Sequence, residues 1–205
     1  MIENVKWLFF DVGSTLVDES IVYEKRMRLI AKAANVSYEN VCETAMSFYR
    51  QNKKGDIEAM RRLNVEKPKW SHEDEVLYND TAETLMKLSG RCKIGVIANQ
   101  SLGTAERLKK FGILKYIELV VASAEEGVAK PDRRIFEIAL SRAGCEPKQA
   151  VMIGDRIDND ILPAKKLGMY TMWVKQGFGK YWNITSDEEK ADYEVNNLAE
   201  ICNIL

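Results

Sequence analysis

The chain is poor in the features that mark several protein classes. Its four cysteines, Cys42, Cys92, Cys145 and Cys202, are scattered, with no CxxC pair and no metal-ligand spacing. That excludes a disulfide framework or a thiolate metal site and fits reduced thiols. No apolar run approaches the length that crosses a bilayer. Glu3 and Asn4 precede the first apolar run, which is no signal-peptide pattern. Neither sign of charge dominates: 30 basic and 31 acidic residues leave a net charge of −1. That balance gives no electrostatic reason to expect nucleic acid or an anionic membrane as partner. The basic pairs Lys53-Lys54, Arg61-Arg62 and Lys109-Lys110 read as solvated helix faces. There is no internal repeat and no low-complexity segment. These absences together suggest a cytoplasmic protein, and they carry no signal of its oligomeric state.

What the sequence does contain is a core and an alternation. A hydrophobic fraction of 46% supports a packed interior, and 205 residues suffice for one domain with a large insertion or two small ones. Short apolar runs at Val5–Phe10, Lys93–Ala98, Glu118–Ala122, Ala150–Gly154 and Tyr170–Val174 read as buried strands. Helical patterns at roughly Leu102–Phe111, Asp132–Ala143 and Asp160–Leu167 fall between them. Strands alternating with helices predict a parallel sheet covered on both faces, with ligands beyond the carboxyl ends of its strands. From about Asp18 to Ser89 the alternation stops and the patterning is helical throughout, with breaks near Gly55-Asp56 and Pro68–Ser71. An inserted helical segment beside the site could close over a substrate and exclude water.

Polar residues collect where the strands are expected to end. Asp11 closes the first run and is followed by Val12-Gly13-Ser14-Thr15, small residues that let backbone N–H groups approach an anion. A carboxylate there is a candidate nucleophile toward phosphorus, although an Asp after a strand also reads as a turn or cap residue. Asn99 follows the second run. Gly127-Val128-Ala129-Lys130-Pro131-Asp132 places one lysine before a helix. Gly154-Asp155-Arg156-Ile157-Asp158-Asn159-Asp160 ends a strand in a series of carboxylates. Asp155 and Asp160 also fit as helix N-terminal acids, Asp158 as a cap or surface acid, and Arg156 as a solvated side chain or a phosphate contact.

The order and spacing of these segments, above all the Lys130-Pro131-Asp132 and Gly154-Asp155…Asp160 motifs, resemble the haloacid dehalogenase superfamily nearly end to end. The resemblance implies a three-layer α/β, Rossmann-like parallel sheet with an inserted α-helical cap: residues 1–17 and 90–205 as catalytic core, 18–89 as cap. It also implies a Mg²⁺-dependent phosphatase of small phosphorylated metabolites. Asp11 would be the nucleophile, and Lys130 would neutralise charge on Asp11 and the phosphoryl oxygens. Mg²⁺ would be held by Asp11, Asp155 and the Gly13 carbonyl, with Asp160 orienting that site or holding Lys130. Asn99 and Ser14 would contact substrate.

Two positions depart from the pattern. Gly13 stands where phosphatases of this group carry a second Asp as general acid and base, a function typically worth about 10²–10⁴-fold. Ala98 stands where a Ser or Thr hydroxyl is usual; Ser14 and Ser101 are nearby hydroxyls. Weak turnover of alkyl phosphates is therefore expected, with activated phosphates least affected. Relatives that cleave carbon–phosphorus bonds also have a small residue at the Gly13 position and recruit a cap lysine; Lys25, Lys32, Lys53 and Lys54 are the candidates here. A member that binds a phosphorylated ligand or a protein without turnover is the third reading. His72, the only histidine, and Glu73 are candidate substitute acids from the cap, although a lone histidine also reads as an ordinary surface or core residue. Tyr49, Arg50 and Trp70 fit either substrate reading or packing.

Overall fold

The computed structural model describes residues 4–205. Strand β1 (Trp7–Phe10) is buried along its whole length because both of its faces are covered, which is why its sequence is a continuous apolar run. Strand β2 (Val17–Asp18) follows, then three helices: α1 (Ser20–Ala34), α2 (Tyr38–Tyr49) and α3 (Gly55–Arg62). Strand β3 (Val76–Leu77) returns antiparallel to β2, pairing Val17 with Leu77 and Asp18 with Val76. After it come α4 (Thr81–Ser89), β4 (Lys93–Ala98), α5 (Thr104–Lys110), β5 (Leu119–Ala122) and the short α6 (Ser123–Glu126). The chain ends with α7 (Arg133–Ala143), β6 (Ala150–Gly154), α8 (Leu162–Lys166), β7 (Tyr170–Val174) and β8 (Tyr193–Val195).

Six strands form one parallel sheet in the order β5-β4-β1-β6-β7-β8. Alternate side chains of β1 feed opposite layers. Leu8 and Phe10 join Leu85 and Leu88 of α4, Leu108 of α5 and Ile201. Trp7 and Phe9, stacked with centroids 5.4 Å apart, join Ile135, Phe136 and Leu140 of α7. The expected three-layer α/β fold is therefore present. Among the described residues no helix is long and apolar enough to cross a membrane.

Helices α1–α3 build a core of their own from Met27, Ile30, Val41, Ala45, Tyr49 and Met60. A Cβ at Gly55 would collide with the Ala45 carbonyl and the Tyr49 ring, so the glycine permits the close crossing of α2 and α3. The insertion docks on the sheet domain through Phe178, stacked on Tyr49 at 4.2 Å and edge-on to Tyr23 at 4.9 Å. Asn52 adds two hydrogen bonds to the Asn183 backbone, each 2.7 Å.

Three details differ from the sequence reading. Residues 81–89, grouped there with the cap, form α4, whose Leu85 and Leu88 pack into the sheet layer. The helix expected from Asp160 starts as a π-turn over Ile157–Ile161 before Pro163 enters α8, because Asp160 and Ile161 both donate to the Arg156 carbonyl. Strand β8 lacks an apolar run. It is held instead by Asp192, whose carboxylate accepts from the Thr171 N–H and hydroxyl.

Candidate active site

Asp11, Asn99 and Asp155 emerge from the carboxyl ends of β1, β4 and β6, three adjacent strands, as expected for a parallel sheet. Lys130, on the loop before α7, reaches into the same place. Its Nζ donates to Asp11 Oδ1 (2.7 Å), Asp160 Oδ1 (2.6 Å) and the Ile97 carbonyl (2.7 Å), which uses all three ammonium protons. Burial works against the Lys130 charge, but Asp11 and Asp160 outweigh it and hold the ammonium above its usual pKa. The Lys130 side chain is 1% exposed and that of Asp11 13%, so Asp11 is the reachable member of the pair.

Asp160 is fully buried and fixed from two sides, by Lys130 and by the Arg156 N–H at 3.0 Å. It fits only because residue 154 is glycine, since a Cβ there would overlap the Asp160 carboxylate. Asp160 thus contacts Lys130 and not solvent. Asp155 is differently placed. Its side chain accepts one long hydrogen bond, 3.5 Å from Thr15 Oγ1, while its backbone carbonyl accepts from Trp173 Nε1. Burial, then Asp160 and Asp11, push its carboxyl far above the ordinary range. Oxygens of Asp11, Asp155 and Asp160 lie within 4.8 Å of one another. A crowded all-oxygen set with an underbonded carboxylate fits a hard divalent cation such as Mg²⁺. Gly179 closes this corner, since a Cβ there would overlap the Asp155 carbonyl.

The other expected site residues are brought to the same place with altered contacts. Asn99 lines the cavity, yet its amide clamps the Lys130 backbone, donating to the carbonyl (2.8 Å) and accepting from the N–H (2.7 Å). Ser14, at positive φ of 56°, donates its hydroxyl to Glu19 Oε2 at 3.0 Å. Ala98 is fully buried in β4. Ser101 sits with its hydroxyl 3.0 Å from His72 Nε2, and His72 Nδ1 is 2.7 Å from Glu75. Both ring nitrogens of His72 are thus engaged, Nε2 across the junction of cap and core and Nδ1 within the cap. Arg156 pairs with Asp158 at 2.5 Å and still lines the cavity.

The sequence reading missed Glu19. A Cβ on Gly13 would lie 2.6 Å from Glu19 Oε1 and 2.9 Å from Oε2, so this carboxyl fills the volume that a side chain at position 13 would occupy. Burial pushes the Glu19 pKa up to about 8; the Ser14 hydrogen bond opposes the rise, and Asp11 and Glu75 add to it. A proton-bearing carboxyl therefore borders the same cavity as Asp11 and Lys130. The only sequence signal was proximity: an acid at the end of β2, a short distance after the position that lacks one.

Comparison with known proteins agrees with this geometry. Residues 5–168 match the profile of the haloacid dehalogenase-like hydrolases. A glyceraldehyde 3-phosphate phosphatase of Methanocaldococcus jannaschii is 38% identical over 130 residues, spanning 62% of this chain and 56% of that protein. Its namesake from Pyrococcus furiosus is 29% identical over 98% of this chain and 93% of its own length. The crystal structure of a phosphatase from Thermococcus onnurineus superimposes with a TM-score of 0.66 at 24% identity, covering 98% of this chain and 97% of that one. With the profile spanning most of its length and the aspartate–lysine–aspartate site in place, the chain belongs to the haloacid dehalogenase-like hydrolases.

Proposed function

We propose that the protein is a Mg²⁺-dependent phosphatase of small phosphorylated metabolites that works through an aspartyl-phosphate on Asp11. The observation that carries this reading is the Lys130 ammonium bonded to both Asp11 and Asp160, with the underbonded Asp155 beside them. The relatives named as glyceraldehyde 3-phosphate phosphatases support the substrate class. Asp11, Asp155 and the Gly13 carbonyl would hold Mg²⁺, which supplies charge stabilisation to the phosphoryl oxygens.

The remaining work falls to side chains. Lys130 leaves Asp11 one carboxylate oxygen free to attack phosphorus, and its fixed positive charge faces the charge that develops there. As the bond from phosphorus to the leaving oxygen breaks, Glu19 gives that oxygen its proton. Glu19 then takes a proton from the water that attacks the phosphoryl-aspartate, and Asp11 is released. Glu19 would thus do the work that Gly13 cannot, which relieves the expectation of weak turnover on alkyl esters. Asn99 acts by fixing the backbone of Lys130.

Carbon–phosphorus cleavage through a cap lysine is the second reading, and Lys54 favours it. This residue lines the Asp11 cavity, and partial burial followed by the Arg156 charge pushes its ammonium below the usual value. A carboxyl in the slot beside Gly13 is the feature that favours the phosphate ester. The test is covalent trapping: acid-quenched protein turning over acetyl phosphate should carry a phosphoryl group on Asp11 by mass spectrometry. Asp11→Asn should carry none. An unmodified wild-type protein during demonstrable turnover would rule out the aspartyl route.

A further inference from the structure

The chain that leaves β7 touches the site and the cap in alternation. Gly177 lies against Ser14: at its φ of 52°, a Cβ would come within 2.6 Å of the Ser14 Cβ and 2.7 Å of the hydroxyl. The next residue, Phe178, joins the cap core, stacked on Tyr49 and edge-on to Tyr23. Gly179 returns to the site, where a Cβ would overlap the Asp155 carbonyl and lie 2.7 Å from its Oδ2. Asn183 then meets the cap again through its two hydrogen bonds with Asn52. Residues 177–183 therefore form a strap between cap and site.

The strap is stiff. The N–H groups of Lys180, Tyr181 and Trp182 donate to the carbonyls of Gln176, Phe178 and Gly179, so successive turns tie the aromatic wedge to both glycines. Its far end is anchored where Trp182 packs on Ile157, Ile161 and Trp173. Close-packed groups transmit displacement rather than absorb it. A shift of the Phe178 ring in the cap thus moves the backbone that lies against Ser14 and Asp155. The contact with Asp155 matters most, because that carboxylate accepts only the long Thr15 hydrogen bond. The Gly179 backbone limits where its Oδ2 can go. Phe178 also lines cavities of about 420 and 620 Å³, so open space adjoins the ring and the aromatic stack seats it.

We propose that Phe178 is a positioning residue for the metal-binding corner: seated in the cap, it holds the Gly179 backbone against Asp155 and so couples cap docking to Mg²⁺ affinity. The inference rests on the Mg²⁺ site of the proposed function, and it assigns the coupling to a side chain that does not ligate the metal. Such coupling is reciprocal. If the seated cap favours Mg²⁺, then Mg²⁺ favours the seated cap by the same factor.

The experiment titrates Mg²⁺ calorimetrically into wild-type, Phe178→Ala, Phe178→Tyr and Asp155→Asn protein, each checked for a cooperative melt. Phe178→Ala should weaken Mg²⁺ binding about tenfold, within the ordinary range of coupling between sites. Phe178→Tyr keeps the stack and should stay within about twofold of wild type. Amide exchange reads the reciprocal effect. Saturating Mg²⁺ should slow exchange at Gln51, Asn52 and Lys53, on the cap turn that the strap grips, in wild type but not in Phe178→Ala. Should the alanine variant fail to fold, Asn52→Ala cuts the other anchor and should weaken Mg²⁺ binding about three- to tenfold, the size of a net hydrogen bond. Wild-type Mg²⁺ affinity in Phe178→Ala, whatever its melting temperature, overturns the inference and leaves the metal site intact; so does wild-type affinity in Asn52→Ala where that variant is the one read. A wild type that binds Mg²⁺ no better than Asp155→Asn rejects the metal site and the inference together.

Discussion

Gly13 and Glu19 fit together in space although they lie on separate turns of the chain. The carboxyl of Glu19 lies in the slot that Gly13 leaves open, and Ser14 orients it through a 3.0 Å hydrogen bond. Removing a general acid matters most when the leaving group is a poor one. Glu19→Gln should therefore lower kcat on an alkyl phosphate by about 10²–10⁴-fold while sparing acetyl phosphate to within about tenfold. A Gly13→Asp/Glu19→Ser double variant should recover part of the alkyl activity, because it moves the carboxyl to the other side of the same slot. An equal loss on both substrates in Glu19→Gln would assign Glu19 a packing role. The sequence showed Asp11, Lys130, Asp155 and Asp160 because each sits at a strand end or just before a helix, in short local motifs. It did not show Glu19 or the true contacts of Asn99. Those depend on where β2 and the Lys130 loop fold back, which no local pattern encodes.

Among elements, strands β1, β4, β6 and β7 were legible because nearly all of their residues are buried and their sequences are predominantly apolar. β8 was not, since Glu194 interrupts it and a side-chain contact from Asp192 to Thr171 holds it in place. The β2–β3 ribbon was equally invisible: two residues on each side are too few to show a period. Yet this ribbon marks where the chain leaves the sheet domain and returns. It also places Glu19 at the foot of α1, beside Asp11. The apolar pattern of α4 looks like that of the cap helices. Only its partners, Leu8 and Phe10 among them, assign it to the sheet layer.

For the molecule as a whole, the site concentrates acids whose protonated forms are favoured in the folded state. Glu19 is raised from 4.5 to about 8, and burial and its acidic neighbours hold Asp155 well above its ordinary value. A folded state that holds its protons more tightly than the unfolded chain loses stability as pH rises. For Glu19 that loss runs from about pH 4.5 to about pH 8, with a slope of at most about 1.4 kcal/mol per pH unit. Metal-free protein should therefore melt at a lower temperature at pH 8 than at pH 5.5. Mg²⁺ competes with those protons, so millimolar Mg²⁺ should raise Tm more at pH 8 than at pH 5.5, and a chelator should reverse it. Differential scanning fluorimetry at the two pH values reads both effects; a Mg²⁺ effect of the same size at each would contradict this linkage. All of this presupposes a working phosphoryl site, for which the direct measurement is release of inorganic phosphate from acetyl phosphate and an aryl phosphate, with and without Mg²⁺. Release that requires Mg²⁺ and falls to the blank in Asp11→Asn is the expected result. Release that persists in Asp11→Asn, or none above the blank in wild type, would contradict the assignment of this site as a phosphatase.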